Sequence, residues 1–175
     1  MNNVIRKNAR AIIMVASIVA FSFLILNLFP MFDNVGNNFN WVALIYLGLE
    51  IASSIILFFI VKQSKPNYKN VSIPALLFVV ARFIDYLQRM IENPCFGNIP
   101  LLGFSIALII LWIIYISNHN VKKVLLILML VLAIYDALFI FTTGRIHAVA
   151  LVAIATCLML SLLVEGEENE KNENQ

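Results

Sequence analysis

Residues 41–61 read WVALIYLGLEIASSIILFFIV, twenty-one positions with one charged side chain, Glu50, and no proline. About 20 mainly apolar residues are what a helix needs to cross a hydrocarbon layer of about 30 Å. The stretch therefore reads as a membrane span, and Glu50 near its middle as a buried acid that needs a partner. The rest of the chain repeats this pattern, with short polar breaks.

Further apolar segments cover 11–31, 72–91, 101–117, 121–141 and 146–164. With residues 41–61 they predict an all-α bundle of six transmembrane helices. Two of them leave room for an interfacial or re-entrant placement: 72–91 is interrupted by charge and 101–117 is short. Composition agrees with a lipid-solvated chain. Its 175 residues are 62% hydrophobic and 13% charged, with mean hydropathy +0.92, against about half apolar and a quarter charged in soluble domains. No separate soluble catalytic domain is expected within these residues. Pro30, Pro66, Pro74, Pro94 and Pro100 are all expected at or near helix breaks, where a missing N–H does least harm. The first apolar run follows a basic N-terminus but exceeds a signal-peptide core and lacks a small-x-small cleavage pattern, so a retained helix is expected.

Orientation follows from Lys and Arg in the short loops. Arg6, Lys7 and Arg10 precede the first helix, Lys62, Lys65 and Lys69 fill the second connection, and Lys122 and Lys123 flank the fourth. The alternate loops carry Arg145 as their one basic residue. Both termini are accordingly expected in the cytoplasm, in the plasma membrane of a prokaryote. Residues 1–164 form the expected transmembrane domain. The end, 165–175, has five glutamates and one lysine and is expected to be a disordered cytoplasmic tail.

Charge inside the spans is the main functional pointer, because each such group costs a few kcal/mol at the bilayer centre unless paired or hydrated. Arg82, Asp85, Arg89 and Glu92 are spaced three, four and three residues apart, which places them on one helical stripe of alternating sign. From a rise of about 1.5 Å per residue, Glu50, Asp85 and Asp136 lie at overlapping depths in the outer half of the bundle. Arg145 and His147 would roof that region. Tyr86 and Tyr135 each adjoin one of these acids, and Trp41 and Tyr115 suit interfacial anchoring. As a ligand site, Glu50, Arg82, Asp85, Tyr86, Arg89, Asp136 and His147 would form a pocket open to the outer face. The arginines would take an anionic group, and Glu50 or Asp136 a cationic one or a proton. The structural alternative is a charge-balanced network that fixes helix packing.

Catalytic signatures are missing from the sequence. It has no Gly-rich phosphate loop, no Gly-x-Ser-x-Gly elbow and no His-Glu-x-x-His run. His119 and His147 fall on opposite sides of the predicted membrane, and Cys95 and Cys157 are too far apart in sequence to suggest a metal or redox pair. Neither an enzyme, a cofactor, a metal nor a nucleic-acid partner is expected. Pairing Ser53 or Ser54 with Asp85 as a hydrolytic site has no motif behind it.

Ala16 and Ala20 form a small-xxx-small pair on the first helix, a pattern that permits close helix approach. With six spans, both ends inside and an outward pocket, this Ala-x-x-x-Ala element resembles the substrate-binding S-components of energy-coupling-factor transporters. There the alanine motif contacts the scaffold subunit, so the resemblance implies a partner interface at Ala16 and Ala20. Two functions follow as expectations: binding or helping to transport a small charged solute, or a non-catalytic immunity, exclusion or assembly role through helix contacts with a membrane-protein partner.

Overall fold

The computed structural model describes residues 2–33, 40–63, 67–92, 94, 96–117, 121–138 and 147–173. Side chains are described for 8–26, 28, 40–63, 67–92, 94, 96–116, 121–138 and 149–163. The described residues form six helices: α1 (Asn2–Asp33), α2 (Trp41–Gln63), α3 (Tyr68–Glu92), α4 (Asn98–Ser117), α5 (Lys122–Leu138) and α6 (His147–Glu173). Four are long and apolar enough to cross a membrane, over Asn8–Leu26, Trp41–Gln63, Tyr68–Glu92 and Asn98–Ile116. The third and fourth helices are thus longer than their hydropathy suggested. Asn67 extends α3 backwards by accepting the Asn70 N–H on its side chain at 2.7 Å, and Asn40 caps α2 by accepting the Ala43 N–H at 3.0 Å. Each cap satisfies a backbone donor that the first helical turn leaves open.

Chain neighbours pack side by side, α6 closes back onto α1, and α3 also meets α6 across the ring so formed. The interior is filled by side chains of several helices, among them Phe78, Tyr86, Leu132 and Leu158. Exposed branched residues such as Val15, Ile45, Ile113 and Ile134 cover the outside. An apolar exterior over a partly polar interior is the arrangement that lipid rewards, since lipid tails are as apolar as leucine and polar groups gain by turning inward.

One end of the ring is tied by side chains. Arg10 on α1 donates to the carbonyls of Val61, at 2.8 Å, and Lys62, capping the C-terminal carbonyls of α2 with a cation. Tyr68 at the start of α3 packs edge-on against Tyr115 near the end of α4, with centroids 5.4 Å apart. Its hydroxyl donates to the Lys122 carbonyl at 3.2 Å. These contacts gather Arg10, Lys62, Lys69 and Lys122 at one basic end.

One expectation about the helices needs correction: Pro74 lies inside α3, whereas Pro30 falls in the last turn of α1, near a helix end as expected. Pro74 removes the intrahelical N–H that would meet the Asn70 carbonyl. The Ser53 hydroxyl of α2 donates to the carbonyl of Pro74 itself at 2.6 Å, which ties α2 to α3 at this level. α6 runs on to Glu173. Glu and Lys are good helix formers, and an existing helix removes the nucleation cost.

Candidate functional site

Arg82 is the hub of the interior. It is fully buried and lies on the face of α3 that meets α2 and the centre of the ring. Its Nη1 lies 2.9 Å from Asp85 Oδ2, one turn along the same helix, and 3.3 Å from Glu50 Oε1 on α2. Its Nη2 reaches Asp136 Oδ2 on α5 at 3.4 Å, and its Nε donates to the Tyr86 hydroxyl at 3.3 Å. Carboxylates from three helices thus converge on one planar, permanently charged fork, the geometry for which arginine is suited and lysine is not.

The contacts are unequal. Charge-assisted N–H···O bonds usually measure about 2.7–2.9 Å, which fits the 2.8 Å bond from Arg89 Nε to Asp85 Oδ1. Arg82 Nη1 comes as close to Asp85 Oδ2, at 2.9 Å, but as an ion pair without hydrogen-bond alignment. The Glu50 and Asp136 contacts are longer and looser. Asp85 therefore joins the two arginines of α3, while Glu50 and Asp136 are held from the flanks. Arg89 keeps 33% of its side-chain surface exposed. The ion pairs accordingly run as a chain from the surface at Arg89, through Asp85, to the buried guanidinium and its outer carboxylates.

Most of the site residues expected from the sequence meet here: Glu50, Arg82, Asp85, Tyr86, Arg89 and Asp136. Glu92, on the same stripe, stands exposed and accepts from Gln88 at 2.5 Å. The side chain of His147, together with Arg145 and Cys95, lies outside the described residues. Tyr135 is half-buried, its ring edge-on to Phe104 with centroids 6.3 Å apart. Ser54 donates to the Glu50 carbonyl at 3.2 Å and Ser53 to Pro74, so both hydroxyls act on backbone. Cys157 is a buried free thiol. Among the described residues no group of three or more His, Cys, Asp or Glu is arranged to hold a metal ion.

The alanine pair divides. Ala20 is fully buried in the core, whereas Ala16 lines an open groove of about 640 Å³ between α1 and α6, with Ala11, Val15, Val149, Ala153 and Thr156. Sequence reading missed Tyr46, a buried residue one turn before Glu50 and within electrostatic range of Asp85 and Arg89. The signal for it was its i−4 position relative to a buried acid. No family model matches the chain, and no curated protein and no solved structure matches it either.

Proposed function

We propose that the chain is a six-span protein of the plasma membrane of a prokaryote, with both ends on the cytoplasmic side, which binds a small charged solute at the Arg82 centre and assists its transport. Support for the topology is the gathering of basic residues at one end, which the positive-inside bias assigns to the cytoplasm. α5 and α6 are the fifth and sixth spans. The observation that carries the function is the graded chain of ion pairs, tight at Asp85, loose at Glu50 and Asp136, and reaching the surface at Arg89. A zwitterion would place its cationic group on Glu50 or Asp136 and its anionic group on Arg82 or Arg89. Complete burial of the centre makes this arrangement the closed one, and Arg89 leaving Asp85 would be the opening step. Retaining so many charges is otherwise costly, since well-packed apolar residues commonly replace a buried ion pair at no loss of stability.

The test is thermal unfolding of the purified protein in detergent against a panel of zwitterions, namely free amino acids and glycine betaine. At about 100-fold excess over Kd, binding adds about 2.7 kcal/mol, or about 5–10 °C for a chain of this length. At least one compound is expected to give that shift, and Arg89→Gln to abolish it. No shift across the panel removes the reading.

The α1–α6 groove favours a second reading, a non-catalytic immunity, exclusion or assembly factor that seats a helix of another membrane protein against Ala16. Close helix approach over small residues is how such contacts form in lipid. Co-purification after mild solubilisation separates the two. A stoichiometric protein partner whose binding survives substitution of Glu50 and Arg82 but not Ala16→Phe supports the second.

A further inference from the structure

At the basic end a cleft of about 350 Å³ separates α3 from α4. Its lining joins one lysine, the Ser72 hydroxyl, which donates to the Lys69 carbonyl at 2.8 Å, and apolar side chains. Lys69, at the start of α3, is exposed at the mouth. Ile73 and Leu76, one and two turns further along α3, and Ile116 on α4 give it apolar walls. A second cation stands beside it, because Lys122 lies with Nζ 5.6 Å from the centroid of the Tyr68 ring, and that ring packs on Tyr115, itself part of the cleft wall.

Within the lining, Trp112 is almost wholly buried, and its indole N–H has no acceptor among the described residues. A buried tryptophan N–H usually finds one, and leaving it open forfeits the hydration it had in water. The missing group is thus an acceptor, one turn below a cationic mouth and among apolar walls. An acyl chain alone supplies no acceptor. A free phosphate supplies no apolar part, and a zwitterionic lipid brings a third cation to a mouth that already has two.

We infer that this cleft binds one anionic phospholipid, with its phosphate at Lys69 and a glycerol ester carbonyl accepting from Trp112. The inference rests on the membrane reading above but not on the solute reading, since the cleft and the Arg82 centre share no lining residue named here. Lipid bound in this place would brace α3, the helix that carries Arg82, from the side away from α2.

The chain has two tryptophans, Trp41 and Trp112, so Trp41→Phe leaves Trp112 as the single indole reporter. That variant is reconstituted in phosphatidylcholine vesicles containing either dibrominated phosphatidylglycerol or dibrominated phosphatidylcholine, and quenching of its fluorescence gives relative binding. One lysine at the surface favours an anionic lipid about fivefold. A preference of that size for phosphatidylglycerol is expected, lost in Lys69→Gln and kept in Lys69→Arg. Equal quenching by both lipids, or a preference unchanged in Lys69→Gln, overturns the site. Reversal of the preference by millimolar inorganic phosphate also overturns it, in favour of free phosphate. Absence of quenching by either lipid contradicts the membrane placement itself.

Discussion

Arg82 and Asp136 stand 54 positions apart in the chain and 3.4 Å apart in space. One side chain of α3 thereby reaches α5, and through Glu50 the same guanidinium reaches α2. A single guanidinium thus contacts carboxylates carried on three helices.

Arg82→Ala should therefore be among the most damaging substitutions in the chain. It leaves Glu50 and Asp136 buried beside a missing cation, and breaking a buried pair from one side costs about 3–5 kcal/mol. Thermal unfolding in detergent should show a fall of about 6–20 °C for a chain of this size. Arg82→Lys should recover only part of it, because an ammonium cannot meet flanking carboxylates as a planar fork.

Ser53 and Ser54 are neighbours with different duties. Ser53 bonds across helices to the Pro74 carbonyl at 2.6 Å, whereas Ser54 bonds back to Glu50 within α2 at 3.2 Å. Ser53→Ala should cost about 1 kcal/mol, and Ser54→Ala less than about 0.5 kcal/mol, since back-bonding of this kind stabilises a helix little. Denaturant titration in micelles measures both.

Much of this interior was legible in advance, and for a physical reason. Charges in an apolar segment have few places to go, so the three-and-four spacing of Arg82, Asp85 and Arg89 and the matching depths of Glu50 and Asp136 point inward together. What escaped were features set by tertiary contact. Pro74 carries a helix-break signal by itself, yet α3 passes through it. Arg10 reads as a topology charge and also caps α2. Ala16 and Ala20 look equivalent in sequence, but one turn of α1 is enough to move from the groove into the core. Hydropathy likewise undervalued the starts of α3 and α4: α3 begins at Tyr68 beside the Asn67 cap, and α4 at Asn98.

The proposed topology, six spans with both ends inside, makes a labelling prediction. In a cysteine-free background, with Cys95→Ser and Cys157→Ala, Lys69→Cys and Lys123→Cys should react with a membrane-impermeant maleimide only in inverted vesicles. Phe96→Cys, in the exposed turn between α3 and α4, should react only from outside intact cells. Lys69→Cys and Phe96→Cys labelled from the same side would remove the third span.

The central claim is that the Arg82 centre is kept for binding and not for packing, and a charge-neutral replacement tests it most directly. The triple variant Glu50→Met, Arg82→Met, Asp136→Leu replaces the three-helix pairing with apolar side chains of similar volume, and its thermal unfolding is measured with and without the zwitterion that stabilises the parent. The account predicts a midpoint close to the parent's, because a buried ionic cluster can be exchanged for neutral packing at little cost, together with complete loss of the ligand-induced shift. A variant that does not fold, or one that keeps the shift, would contradict it.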